Sequence, residues 1–217
     1  MEEALLKYLE MKKPLIVTKE WHSYLAYNGL LGSHIHILKS GVVKTSLILR
    51  DGREFNMSYI NRPEIVAILR DEEDQLTPAP WNIRVESETA SFYQIDRKEF
   101  WSDVNSEPDL LLYVKNYYRR QLNKQTHRMQ LLIMNGKVGA LYSVLIRLVN
   151  QFGVELNGGT LIDFLVTNED LAGFCGISSH TSVNRMMKEL REKDVIEIQN
   201  RKIFIKNSQF LEENIAL

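Results

Sequence analysis

The stretch Thr167-Asn168-Glu169-Asp170-Leu171-Ala172-Gly173-Phe174-Cys175-Gly176, continued by Ile177-Ser178-Ser179-His180-Thr181-Ser182-Val183-Asn184-Arg185-Met186-Met187-Lys188-Glu189-Leu190, decides the fold of this 217-residue chain. Thr167 stands where a helix N-cap belongs, and Asp170, three residues on, can complete a capping-box-like start. The spacing predicts a short helix over 168–175, with Leu171, Ala172 and Phe174 as its packing residues. Gly176 ends it, because glycine tolerates the left-handed backbone of a tight interhelical turn. Ser178 or Ser179 then caps a second helix reaching to Glu192, with Val183, Met186, Met187 and Leu190 on its inner face. Ala172 is small where that second helix must come close. Two short helices joined in this way make a helix-turn-helix.

The flanking segments fit. Residues 195–199, the turn Asn200-Arg201 and residues 202–205 predict a compact hairpin, as a wing would be. Upstream, 138–152 is apolar enough for a buried helix, and 154–156, Asn157-Gly158-Gly159 and 161–166 predict another hairpin. The outward face of the second helix opens with Ser179, His180, Thr181 and Ser182, followed by Arg185 and Lys188. Short polar side chains at a helix N-terminus reach base edges in a major groove, and an arginine one turn later can bridge guanine O6 and N7. Thr181 and Arg185, four apart, share a face and are expected to contact bases. Lys188 and Arg201 are expected to meet phosphate. The plain alternative is a solvated helix with a polar end.

Residues 135–205 resemble the DNA-binding domain of the Crp/Fnr family of bacterial transcription regulators. The resemblance runs through Thr167-Asn168-Glu169-Asp170-Leu171-Ala172, Gly176, Ser182-Val183-Asn184-Arg185, Leu190, Val195-Ile196 and the wing. Asn135-Gly136-Lys137-Val138-Gly139 and the long spacing from Gly176 to Arg185 resemble the PrfA-like branch. The resemblance implies an α+β chain: an N-terminal β-roll (jelly-roll-like) over 1–107, a dimerisation helix over 108–135 and a winged helix-turn-helix over 136–217. It also implies a homodimer on double-stranded DNA, with RNA polymerase as a further partner if the protein activates. An effector site in the roll or between domains would follow, its ligand unidentified. Cyclic-nucleotide binders of the family carry a Gly-Glu pair and a later Arg-Ser/Thr pair; residues 60–90 hold neither, and Arg84 is followed by Val85. The tyrosine lining the glutathione pocket of a PrfA-like relative corresponds to Lys124 here, which argues against glutathione.

The residues support the long helix on their own account. Pro108 suits a first helical turn, and no glycine or proline follows until Gly136. Leu111, Tyr118, Gln125 and Leu132 recur every seven residues, with Val114, Leu122 and Met129 alongside. That pattern predicts a two-stranded seam with a polar middle, while Arg119, Arg120, Lys124 and Arg128 are expected on the polar side. The alternative is a helix packed on its own domain.

Leu5, Leu6 and Leu9 predict a helix over 2–11, and the strand-like runs 34–38, 42–50, 54–60 and 90–95 are separated by turn signals such as Asp51-Gly52-Arg53. Asp71-Glu72-Glu73-Asp74 is expected as a solvated loop before Pro78 and Pro80. Net charge is −1, yet residues 108–136 hold five Lys+Arg against one acid, and 176–206 hold seven against four. Such local basic stretches suit a small DNA contact surface. The single Cys175 excludes an internal disulfide or an all-cysteine metal site. Glu2, Glu3 and Glu10 argue against a secretory leader, and no apolar run is long enough to span a membrane, so a cytoplasmic protein is expected. His34-Ile35-His36 places two histidines on one strand face, as a cupin-type metalloenzyme would. Residues 37–43 supply no acidic ligand and no later histidine falls in the roll, so neither metal nor cofactor is expected. No catalytic motif is present, and a non-enzyme is expected. A third reading is a ligand-binding roll whose C-terminal domain docks a protein.

Overall fold

The computed structural model describes residues 2–66, 79–134 and 136–215; the acidic run 71–74, Pro78 and Asn135 lie outside the described residues. The chain divides into two compact units, 1–49 with 57–123 and 50–56 with 124–217.

The first unit opens with α1 (Glu2–Lys12). Seven strands follow among the described residues: β1 (Leu15–Glu20), β2 (Tyr24–Ala26), β3 (His34–Ser40), β4 (Val43–Ile48), β5 (Glu54–Ile60), β6 (Asn82–Val85) and β7 (Thr89–Asp96). They form one sheet in the order β1-β7-β3 and another in the order β2-β6-β4-β5. Side chains alternate across a strand, so β7 sends Ala90 and Phe92 one way and Ile95 the other. Ala90 and Phe92 pack with Leu38, Val43, Ile83 and Val85, drawn from both sheets. Ile95 joins Ile35 and Ile37 against Leu5, Tyr8 and Leu9 of α1.

The same outer cluster takes Phe100 and Val104 from α2 (Arg97–Ser106), and Leu110, Tyr113, Val114 and Tyr117 from α3 (Pro108–Met134). Sequence periodicity assigns no helix to 97–106. The structure starts one there because the Asp96 side chain accepts from the Lys98 and Glu99 backbone N–H groups. Lys12 bridges Glu99 at 2.7 Å and Asp103 at 2.8 Å, tying α1 to α2. Burial and the Asp103 carboxylate, which accepts from Tyr8 Oη at 2.8 Å, push the Tyr8 phenol well above its usual range. Strands β1, β2 and β6 were not expected from the sequence either. β2 and β6 are only three and four residues long, and β1 is exposed along nearly its whole length and so lacks alternation.

The 27 residues of α3 span about 40 Å. Its exposed apolar stripe departs from the expected seam at Val114. Leu111, Tyr118, Leu122 and Met129 are exposed, joined by Ile133, and Gln125 is half-buried. Val114 is only 3% exposed, so it cannot belong to that stripe; it packs beside Leu110 and Tyr117 on its own unit. The Leu132 side chain lies outside the described ones.

The second unit continues with α4 (Gly136–Phe152), β8 (Gly153–Leu156), β9 (Gly159–Ile162), α5 (Asn168–Cys175), α6 (His180–Glu192), β10 (Ile196–Gln199), β11 (Lys202–Ile205) and α7 (Ser208–Glu213). The wing hairpin extends the upstream hairpin into one sheet, β10-β11-β9-β8. The architecture is α+β. Among the described residues no helix is long and apolar enough to cross a membrane.

Candidate nucleic-acid interface

The capping box at Thr167 forms in full. Thr167 Oγ1 accepts the Asp170 N–H at 3.0 Å, and Asp170 Oδ2 accepts the Thr167 N–H at 3.2 Å. Gly176 ends α5 at φ +64°, and the Ile177 N–H returns to the Ala172 carbonyl at 2.9 Å. This turn sets the direction of α6.

Rotation of α6 about its axis is set by its apolar side. Val183, Met186, Met187 and Leu190 are each at most 5% exposed. Burying each such side chain is worth about 1.5–3 kcal/mol, so a rotation that exposed them would be costly. The opposite face is therefore held outward: His180, Thr181, Arg185 and Lys188 are exposed, with Ser179 and Ser182 half-buried beside them. Ser179 occupies the N-cap position but makes no side-chain cap bond, which leaves its hydroxyl for another partner.

Arg185 and Lys188 make only loose ion pairs one turn on, with Glu189 at 3.8 Å and Glu192 at 3.5 Å. Exposed pairs of this kind are worth little, so an incoming phosphate or base edge can replace them. Asn184, which sequence reasoning did not single out, shares this face. Its Oδ1 accepts from Asn168 Nδ2 at 2.5 Å, linking α5 to α6. The three-residue step from Thr181 was the available signal.

The wing tip is a two-residue turn with Asn200 at φ +48° and Arg201 at φ +67°. Two consecutive positive φ values define the type I′ hairpin turn, which favours glycine. The exposed Arg201 occupies it instead. The neighbouring lysines are engaged: Lys202 with Asp163 at 2.5 Å, and Lys206 with Asp194 at 2.7 Å.

α5 is backed by residues 54–56 and by Arg128, near the end of α3. Asn56 Nδ2 donates to the Asp170 carbonyl at 3.0 Å. Arg128, expected on a solvated face, is 8% exposed. Its Nη2 donates to the carbonyls of Asn56 and Phe174, and its guanidinium lies over the Phe55 ring at 4.9 Å. Burial, and secondarily the nearby Arg147, lower its pKa to about 10, still charged at neutral pH. Burial pushes the Cys175 thiol up to about 12, against the lowering effect of Arg147 and Arg128, so it remains a neutral thiol at physiological pH.

Gly173 fits this contact because it has no side chain. A Cβ there would lie 2.6 Å from Asn56 Nδ2 and 2.8 Å from the Glu54 carbonyl oxygen. Gly→Ala inside a helix ordinarily stabilises by about 1 kcal/mol. Here overpacking, about 1–3 kcal/mol, outweighs it. Gly173→Ala is expected to lower the urea unfolding midpoint of the second unit; a raised midpoint would show that the close approach is absent in solution.

His34 and His36 sit 6.2 Å apart, ring centre to ring centre. His34 Nδ1 is 3.1 Å from Ser33 Oγ, and His36 lies edge-on to Phe92. Among the described residues no further His, Cys, Asp or Glu completes a metal-binding group with them.

Residues 139–213 match the model of the Crp-like helix-turn-helix domain. The chain is 50% identical over 214 residues to the lactate racemization regulatory protein of Lactiplantibacillus plantarum, covering 99% of this chain and 97% of that protein. It is 30% identical over 195 residues to the anaerobic regulatory protein of Bacillus subtilis, covering 88% and 80%. A Crp/Fnr-family transcriptional regulator from Thermus thermophilus shares the fold with a TM-score of 0.74 at 16% identity, over 92% of this chain and 97% of that one.

Proposed function

Because this chain belongs to the Crp/Fnr family of transcription regulators and carries its DNA-binding helix-turn-helix, we propose that it acts as a cytoplasmic homodimer on a near-palindromic operator. Two copies of α6 enter successive major grooves on one side of the duplex. Thr181 and Arg185 contact base edges, flanked by Ser179, His180 and Ser182. Lys188 and the wing-tip Arg201 neutralise phosphate. The copies join along Leu111, Tyr118, Leu122, Gln125 and Met129. We place the protein in the PrfA-like branch on its hinge motif and on the spacing from Gly176 to Arg185.

One observation carries the DNA-contacting part of this reading. α6 presents a polar, cationic face outward while its inner face is buried almost completely. The name of the Lactiplantibacillus plantarum relative supports a more specific assignment: the target genes include those for interconverting lactate enantiomers. As an activator the protein would also contact RNA polymerase, and an effector would act through the first unit. Regulation, not catalysis, is the role this supports.

The test is footprinting of the purified protein across genomic DNA, with and without cyclic AMP. A small set of protected sites with two-fold symmetric half-sites spaced by about one helical turn is expected. Cyclic AMP is expected to change neither position nor affinity, because the Gly-Glu and Arg-Ser/Thr pairs are absent from residues 60–90. Uniform, sequence-independent protection would sink the operator reading; tightening of the footprints by micromolar cyclic AMP would sink the cyclic-nucleotide statement alone.

A further inference from the structure

Arg97, the first residue of α2, is only 4% exposed. It lies three and seven residues before Phe100 and Val104, on the same helix face, and those two are buried against Leu5, Tyr8 and Ile35. Its Nε and Nη1 are both buried, and no hydrogen-bond partner reaches either among the described residues. The acids of its own helix turn are committed elsewhere. Asp96 accepts from the Lys98 and Glu99 N–H groups at 2.9 Å and 3.1 Å. Glu99 pairs with Lys12, and Asp103 takes both Lys12 and the Tyr8 hydroxyl.

A guanidinium does not escape such a position by losing its proton, as a lysine or carboxyl can. Buried charges in proteins are ordinarily paired, because desolvation without compensation is expensive. Packing does not call for an arginine here either: a methionine would fill similar space on this face without the electrostatic cost. The missing element is a negative charge with acceptor oxygens, and none of the described residues supplies it to these two nitrogens.

We infer that Arg97 is the anchor of an anion site in the first unit, taking a compact oxyanion, a carboxylate or phosphate group, on guanidinium N–H donors that no described residue accepts from. The oxyanion accepts a charge-assisted hydrogen bond, the stronger kind, and ties the start of α2 to the bound ligand. This site rests on neither the DNA contacts nor the dimer seam.

The experiment follows thermal unfolding of the full chain and of Arg97→Met, with sodium chloride replaced stepwise by sodium acetate or sodium phosphate at constant ionic strength. Titration calorimetry of the wild type with each salt runs in parallel. The wild-type midpoint is expected to rise by several degrees and saturate, as binding to the folded state requires, and the rise is expected to vanish in Arg97→Met. A response to acetate alone assigns a carboxylate, to phosphate alone a phosphate, and to both the shared oxyanion chemistry. Arg97→Lys, which keeps the charge but loses Nε, is expected to lose most of the rise and serves if the methionine variant does not fold. Absence of saturable binding heat with both salts overturns the proposal, as does an undiminished response in either folded variant.

Discussion

Arg185→Ala is expected to weaken operator binding by about 1–3 kcal/mol at each half-site, the value of a bidentate arginine–guanine contact, and to relax the preference at that base pair. Two half-sites make the loss for a dimer about 2–6 kcal/mol. The side chain is 77% exposed and bound only by the loose pair with Glu189, so the free protein should lose little stability. Lys188→Ala provides the contrast. Losing a phosphate contact should weaken operator and scrambled DNA alike and reduce the salt slope by about one unit per contact. Titrating both variants against both DNAs at several salt concentrations separates the two behaviours. Equal weakening of both DNAs by Arg185→Ala removes it from base contact, and no weakening of either removes α6 from the groove.

Leu122→Asp is expected to convert the dimer into monomers and to abolish operator binding at concentrations where the wild type saturates. Leu122 is 68% exposed in the single chain, so the substitution leaves the fold of one copy almost untouched. In a seam, each copy loses the burial of a leucine, about 1.5–3 kcal/mol, and two carboxylates are brought together without a counter-charge. Sedimentation at micromolar concentration should give twice 25.3 kDa for the wild type and 25.3 kDa for the variant. A wild type that sediments at the single-chain mass would end the dimer reading. Val114→Asp should behave differently, unfolding the first unit instead of separating copies, because Val114 is buried within it.

The helix-turn-helix was legible in the residues because its signals are local. Thr167 and Asp170 cap each other within one turn, Gly176 alone satisfies the left-handed end of α5, and the 3.6-residue period of Val183, Met186, Met187 and Leu190 sets the inner face of α6. Every one of these interactions closes within a few residues, so composition and spacing carry them. The wing turn at Asn200-Arg201 and the length of α3 belong to the same class.

Which apolar residues of α3 are buried was not so encoded. Val114 and Leu122 are both apolar and both fit a seven-residue repeat. Only the placement of Ile35, Ile65, Ile95 and Phe100 beside the helix buries the first and leaves the second bare. Arg128 looks like any cation on a polar face until residues 55 and 56, some seventy positions earlier, bring a ring and a carbonyl to it. The Asp96 cap made α2 a helix that its charges concealed. In the same way, nothing in the residues next to Arg97 marks it as a buried cation. Local hydrogen bonds and periodicity specify which elements form and where they end, whereas burial, and with it the protonation and partners of each charged group, is set by surfaces that meet only when distant segments pack.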